Sequence, residues 1–139
     1  MVDKLTKTKT SSESERAVGR RKTAAARVRI TPGKGEITIN GKMLAVYFPI
    51  KLWQDKITAP LEKTGRSGQL DISVRVAGGG TNGQAEAVRH GIARALVKWN
   101  IDLKPILRAE GFLTRDPRSK ERKKPGLHRA RRGHQWRKR

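Results

Sequence analysis

The sequence predicts an α+β fold: a two-layer sandwich of helices on a mostly antiparallel sheet, with a long extended basic C-terminal tail. Three observations predict it. Apolar and polar residues alternate in three short stretches, the pattern of strands buried on one face. Apolar residues recur at helical spacing in two longer ones. The last 26 residues carry twelve Lys or Arg against two acids, with no periodic apolar face. Strands and helices interleave in the order β-β-α-β-α, which argues for helices packed on one sheet. The expected division is a flexible leader at 1–17, a globular domain at 18–113 and an extended tail at 114–139.

The first strand covers Thr23 to Ile30, with Ala26, Val28 and Ile30 on one face and Arg27 and Arg29 on the other. Thr31-Pro32-Gly33-Lys34-Gly35 is turn chemistry, since Pro presets φ and Gly permits positive φ. Glu36 to Asn40 alternates again with Ile37 and Ile39 inward, so the two strands read as a β-hairpin. Pro49 to about Thr64 reads as helix, with Pro60 expected to break or kink it. Leu70, Ile72, Val74 and Val76 alternate with Gln69, Asp71, Ser73 and Arg75 in the clearest strand of the chain. From Gln84 to Asn100, Ala85, Val88, Ile92, Ala95, Leu96 and Trp99 form a helical face, and His90, Arg94 and Lys98 stand four apart on another. Asp102 is the expected N-cap of a short helix through Glu110, stopped by Gly111.

Composition narrows the function classes. The 139 residues carry a formal net charge of +21, with a sequence pI near 11.5. The tail supplies +10 of it and the other 113 residues +11, so the basic character is spread over body and tail. Such a field attracts nucleic acid or an anionic membrane and opposes self-association. There is no cysteine, which excludes disulfides and thiolate metal sites. No apolar run approaches the ~18 residues of a membrane span. The N-terminal stretch is rich in Ser, Thr and Lys, as organellar targeting segments are, but Asp3, Glu13 and Glu15 favour a plain flexible leader.

One element invites an enzyme reading. Gly78-x-Gly80-x-x-Gly83 follows a strand, opens a helix, and has Asp102 downstream where a ribose-binding acid could be sought. Bare backbone at a helix N-terminus can cradle phosphate. The context opposes a nucleotide cofactor, because the upstream elements form a hairpin and no next parallel strand follows Asn100. A tight strand-to-helix crossing explains the glycines, and backbone amides contacting an RNA phosphate are the alternative. Catalytic groupings are thin: His128 and His134 lie in the tail, and no nucleophile elbow or carboxylate pair is evident, so neither enzyme activity, cofactor nor metal is expected.

The basic residues are more telling. Arg20, Arg21 and Lys22 lead into the strand whose outward residues are Arg27 and Arg29, a concentration of cations that favours phosphate binding over a merely solvated face. The His90, Arg94, Lys98 stripe fits a solvated helix face nearly as well as an RNA contact. A tail that cannot bury apolar surface should be disordered alone and order on a polyphosphate. Fully extended it could reach roughly 85 Å. Trp136, alone among cations, could stack on a base or be incidental.

Several strings resemble one family. GRRKTAAARV, ITINGK, YF at 47 and 48, APLE at 59–62, GGGTNGQAEAVRHGIARAL and LRAEGFLTRDPRSKERKKPGLHRARR are similar to the bacterial type of small-subunit ribosomal protein nine, from about Val18 to Arg139. The resemblance implies a non-enzymatic α+β protein, cytoplasmic on the ribosome and bacterial in preference to organellar. Its implied partners are the rRNA of the small-subunit head, neighbouring head proteins and the peptidyl-site tRNA, with no membrane and no homo-oligomer. It assigns rRNA binding to Arg20, Arg21, Lys22, Gly79, Gly80, His90 and Arg94, and to Arg115, Arg118, Arg122, Lys123, Lys124, Arg129, Arg131 and Arg132 of the tail stem; Arg27 and Arg29 join them on the charge of their strand face. It assigns tRNA binding to Lys138 and Arg139, and Arg137 joins them as part of the same cationic tip. Family members usually end in a proline, Gln, an aromatic, Ser and Lys-Arg; here the end is Gly133-His134-Gln135-Trp136-Arg137-Lys138-Arg139, a looser and more cationic tip. Two other classes are compatible with the composition: a free-standing RNA chaperone or DNA-compacting protein, and a small phosphotransfer enzyme using the Gly-rich loop.

Overall fold

The computed structural model describes residues 14–138. Most of the expected leader, and Arg139, lie outside them. β1 (Glu15–Arg21) and β2 (Ala24–Pro32) form an antiparallel hairpin closed by Lys22 and Thr23. Lys22 takes a positive φ of 51° at this tip. β3 (Ile37–Ile39) and β4 (Lys42–Met43) are short and antiparallel, followed by one turn of helix, α1 (Leu44–Tyr47), and by α2 (Lys51–Lys63). β5 (Leu70–Ala77) leads into the long α3 (Thr81–Trp99), and a 3-10 turn at Ile101–Leu103 precedes α4 (Lys104–Ala109). The sheet order is β1-β2-β5-β3-β4, antiparallel except where β3 runs parallel to β5. The fold is therefore an α+β sandwich on a mostly antiparallel sheet.

The pleat decides which residues are core. Ala26, Val28 and Ile30 of β2, Ile37 and Ile39 of β3 and Ile72, Val74 and Val76 of β5 are buried on one face. Ile57 and Leu61 of α2 and Val88, Ile92, Ala95 and Leu96 of α3 cover them. At the β1 end the spacing is set by small residues. A Cβ on Gly19 would collide with the carbonyl oxygen of Ala87 and the amide of Gly91, so helix and strand meet backbone to backbone. Gly91 is equally confined, its position for a Cβ lying 2.6 Å from Val28 Cγ2.

Four sequence expectations are corrected. The strands at 23–30 and 36–40 do not pair with each other, because β5 lies between them. The turn residues instead carry the chain over the end of β5, where Asp71 Oδ1 accepts the backbone N–H groups of Lys34, Gly35 and Glu36 at 2.8, 2.9 and 3.0 Å. These donors, Glu36 foremost, hold the Asp71 carboxyl below its ordinary range. The true hairpin uses β1, which begins at Glu15 inside the expected leader. Pro60 does not end α2, which runs on to Lys63, and the Pro60 carbonyl oxygen is met by the Thr64 hydroxyl at 2.8 Å. Asp102 caps no helix: Asn100 caps the 3-10 turn, its side-chain oxygen accepting the Asp102 N–H at 3.0 Å, and α4 starts from Leu103 without a side-chain cap.

Candidate nucleic-acid interface

The face of the sheet opposite the helices is built of arginine. With Ala26, Val28 and Ile30 buried, Arg27 and Arg29 must point outward, and the same alternation exposes Arg16 and Arg20 on β1 and Arg75 on β5. The register sets Arg16 opposite Arg29 and Arg27 opposite Arg75. Like charges directly opposite on a sheet repel and destabilise it. Among the described residues, none of these five side chains forms an ion pair with a carboxylate. The surface is shallowly concave, a hollow of about 590 Å³ that runs across Arg27, Arg29 and Arg75 to Arg94 and Lys98 at the β1 edge. Arg16 and Arg75 were not singled out as site residues from sequence, although the alternation around Arg75 was visible there, and Lys98 was weighed only as part of the His90, Arg94, Lys98 stripe.

The α3 stripe has a structural task at that edge. β1 pairs with β2 on one side only, so the polar backbone of its other side needs partners. Lys98 Nζ donates to Arg16 O at 2.8 Å and Arg94 Nη1 to Val18 O. His90 Nδ1 accepts the Arg20 N–H at 3.4 Å, which leaves Nε2 to carry the proton toward Leu113 O at 3.3 Å. Burial above all, and then the Arg94, Arg115 and Arg89 cations, lower the His90 pKa and favour this neutral tautomer. The helical spacing of four thus matches successive outward carbonyl and amide groups of the strand. Arg94 and Lys98 keep exposed side chains beside the hollow.

Arg21 departs from the sequence reading. Grouped with Arg20 and Lys22 as an RNA contact, it sits on the core side of β1 and is only 9% exposed. Its guanidinium is ion-paired with Glu86, which Lys56 also meets at 3.3 Å, and it lies 3.2 Å from Asp116. The pleat explains the difference, since residues 17, 19 and 21 share the inward face. Lys22, at the exposed hairpin tip, stays available.

The Gly-rich loop is a tight crossing. Gly78 and Gly79 take positive φ, and a Cβ on Gly78 would lie 2.6 Å from Thr23 O. Gln84 ties the loop down, donating to Gly78 O at 3.0 Å while its Oε1 accepts from the Tyr47 hydroxyl at 2.8 Å. Gly80 is exposed and has no neighbour that a Cβ would meet.

The described tail, 114–138, contains neither helix nor strand. Arg115, Arg122, Lys123, Arg129, Arg132, Arg137 and Lys138 are exposed there, and Trp136 is 92% exposed. Three tail cations are internally paired. Arg118 grips Asp116 through Nε and Nη2, at 3.1 and 2.8 Å, while Lys124 and Arg131 both reach Glu121.

A family model described as "Ribosomal protein S9/S16" matches residues 19–139. The chain belongs to this family. Among its relatives, a protein of Lawsonia intracellularis named "Small ribosomal subunit protein uS9" is 54% identical over 129 residues, covering 93% of this chain and 99% of that one. The proteins of the same name from Bacteroides fragilis and Desulfovibrio desulfuricans are 55% identical over 123 residues and 54% identical over 129 residues. These alignments cover 88% and 93% of this chain, and 96% and 99% of theirs. The S9/S16 match spans β2, β5 and the whole tail, and begins after Arg16 of the arginine face.

Proposed function

We propose that the chain is a non-enzymatic structural constituent of the small ribosomal subunit, as the names of its relatives indicate, and that it binds small-subunit rRNA through two basic regions. The observation that carries the reading is the open sheet face bearing Arg16, Arg20, Arg27, Arg29 and Arg75, none of whose side chains forms an ion pair among the described residues. A face that repels itself is stabilised by an anion of regular charge spacing, and a nucleic-acid backbone is such an anion. Lys22, Arg94 and the exposed Gly79–Gly80 amides extend this contact, and Arg115, Arg122, Lys123, Arg129 and Arg132 continue it along the tail stem. Arg137, Lys138 and Arg139 then reach the peptidyl-site tRNA in the head of the subunit. Arg21 is left out of the contact set because its charge is spent inside the body.

The test is co-sedimentation with small subunits on sucrose gradients, repeated after a high-salt wash. Salt-resistant association supports the reading. Recovery only in the soluble pool, or release by modest salt, supports a free-standing basic RNA-binding protein instead. Deleting Lys138 and Arg139 should weaken tRNA retention in the peptidyl site while assembly proceeds; unchanged retention would remove the tRNA part of the reading.

A further inference from the structure

We infer that Arg21, His90 and Asp116 form a clamp on the root of the tail, making them positioning residues that fix the direction in which the tail leaves the body. The inference rests on the proposed RNA-binding role of the tail only for its functional consequence.

Composition places the start of the free tail at Thr114, yet residues 112–118 are bound to the body at three points. Phe112 is half-buried under the Arg89 guanidinium, 5.7 Å from the ring centre. Leu113 O receives the His90 Nε2–H at 3.3 Å. Asp116, its side chain 27% exposed, lies 3.2 Å from the buried Arg21. Asp116 also accepts the backbone N–H of Arg118 at 3.0 Å across Pro117, a local turn whose φ proline restricts. His90 and Arg21 hold the tail from the same short stretch of β1 and α3, since His90 accepts from Arg20 N and Arg21 pairs with Glu86.

The chemistry of Asp116 separates clamp from tail. A carboxylate among cations opposes phosphate binding, so it has no use as an RNA contact. Turned inward on Arg21 and shielded by Arg118, it does not meet a phosphate and links the chain to the body. Clamping matters because a segment anchored only by a pivot spreads its tip over all directions. Fixing the first residues concentrates the tip where the tail points, which raises its effective concentration at a target there.

Because the chain has no cysteine, Lys120→Cys and His134→Cys, in separate full-length proteins, each take a single nitroxide label. In the free protein, the label at 120 should move slowly and that at 134 fast. Asp116→Asn should make 120 as mobile as 134 with the urea midpoint little changed, whereas Arg118→Met, which leaves the Arg21 contact, should keep 120 slow. Equal mobility at both sites in the otherwise unaltered chain, or no change on Asp116→Asn, overturns the clamp. Subunits carrying Asp116→Asn should assemble and hold peptidyl-site tRNA about threefold to tenfold less tightly. Full retention beside a weakened Lys138–Arg139 deletion would overturn the positioning role. If that deletion itself has no effect, the tRNA reading fails, while the label measurements still decide the clamp.

Discussion

The sheet face and the tail carry the same cations and present them in opposite ways. On the sheet, the backbone register holds Arg16 against Arg29 and Arg27 against Arg75 before any partner arrives. The folded core bears the cost of holding like charges together. Between Ser119 and Lys138 no helix or strand sets the spacing, and the one carboxylate there, Glu121, is taken by Lys124 and Arg131. A prearranged surface loses little freedom on binding, whereas a tail must give up backbone entropy of about 1–2 kcal/mol for each residue it orders. Body and tail are therefore suited to different targets: the first to a surface of fixed shape, the second to a passage that supplies order from outside.

The largest expected effect comes from breaking the body where it meets the tail. Arg21→Met strands the buried Glu86 with Lys56 alone, and removing one partner of a buried pair costs about 3–5 kcal/mol. The remaining Lys56 contact favours the lower end, read from a urea midpoint. An unshifted midpoint would mean that the pair contributes nothing to the fold. Gly19→Ala comes next. Its added methyl meets backbone atoms of Ala87 and Gly91, which cannot rotate away, so a loss of about 1–3 kcal/mol is expected. Both variants should leave the salt-sensitive, sequence-independent binding of the tail in place, which separates the two regions by function.

A third measurement compares the regions directly. Replacing Arg27, Arg29 and Arg75 by Gln should lower the slope of log affinity against log salt by roughly 2–3, as should replacing Arg122, Arg129 and Arg132, at about 0.7–0.9 per phosphate contact. The two triples should differ in stability. The sheet triple removes like-charge pairs and should raise the urea midpoint slightly, by about 0.2–1 kcal/mol for each facing pair relieved. The tail triple should leave it unchanged. A sheet triple with an unaltered salt slope would show that RNA does not use this face.

Legibility in the sequence followed the range of the interactions. Arg27 and Arg29 were readable as outward because large apolar residues flank them in strict alternation. Arg21 was not, because its strand marks the inward face with Ala17 and Gly19, too small to register as an apolar stripe. The hairpin error has a related origin: turn chemistry at 31–35 fixes that the chain bends, but not that β5, some forty residues on, supplies both neighbours with their partner. The spacing of His90, Arg94 and Lys98 was visible, while its target, the outer edge of a strand not yet recognised, was not. The charge of the tail needed no tertiary information, and its anchoring needed all of it.

The smallest expected effect lies at the junction of the two regions and is set by pH. His90 accepts a hydrogen bond from Arg20 through Nδ1, so a second proton on the ring would face that N–H instead of receiving it. Burial and the surrounding Arg94, Arg115 and Arg89 cations act in the same sense, and the folded pKa lies below the ordinary 6.5. Above 6.5 the ring is neutral in both states and its contribution to stability is complete. As the pH falls below 6.5 the unfolded chain takes up a proton that the folded chain resists, so stability declines until the folded pKa is passed. His128 and His134 are exposed on the tail, outside the packed core. The melting temperature should therefore drop modestly between pH 7.5 and 5.5, and His90→Gln should flatten that decline. A decline of the same size in the Gln variant would place the titration elsewhere and leave His90 as a packing residue alone.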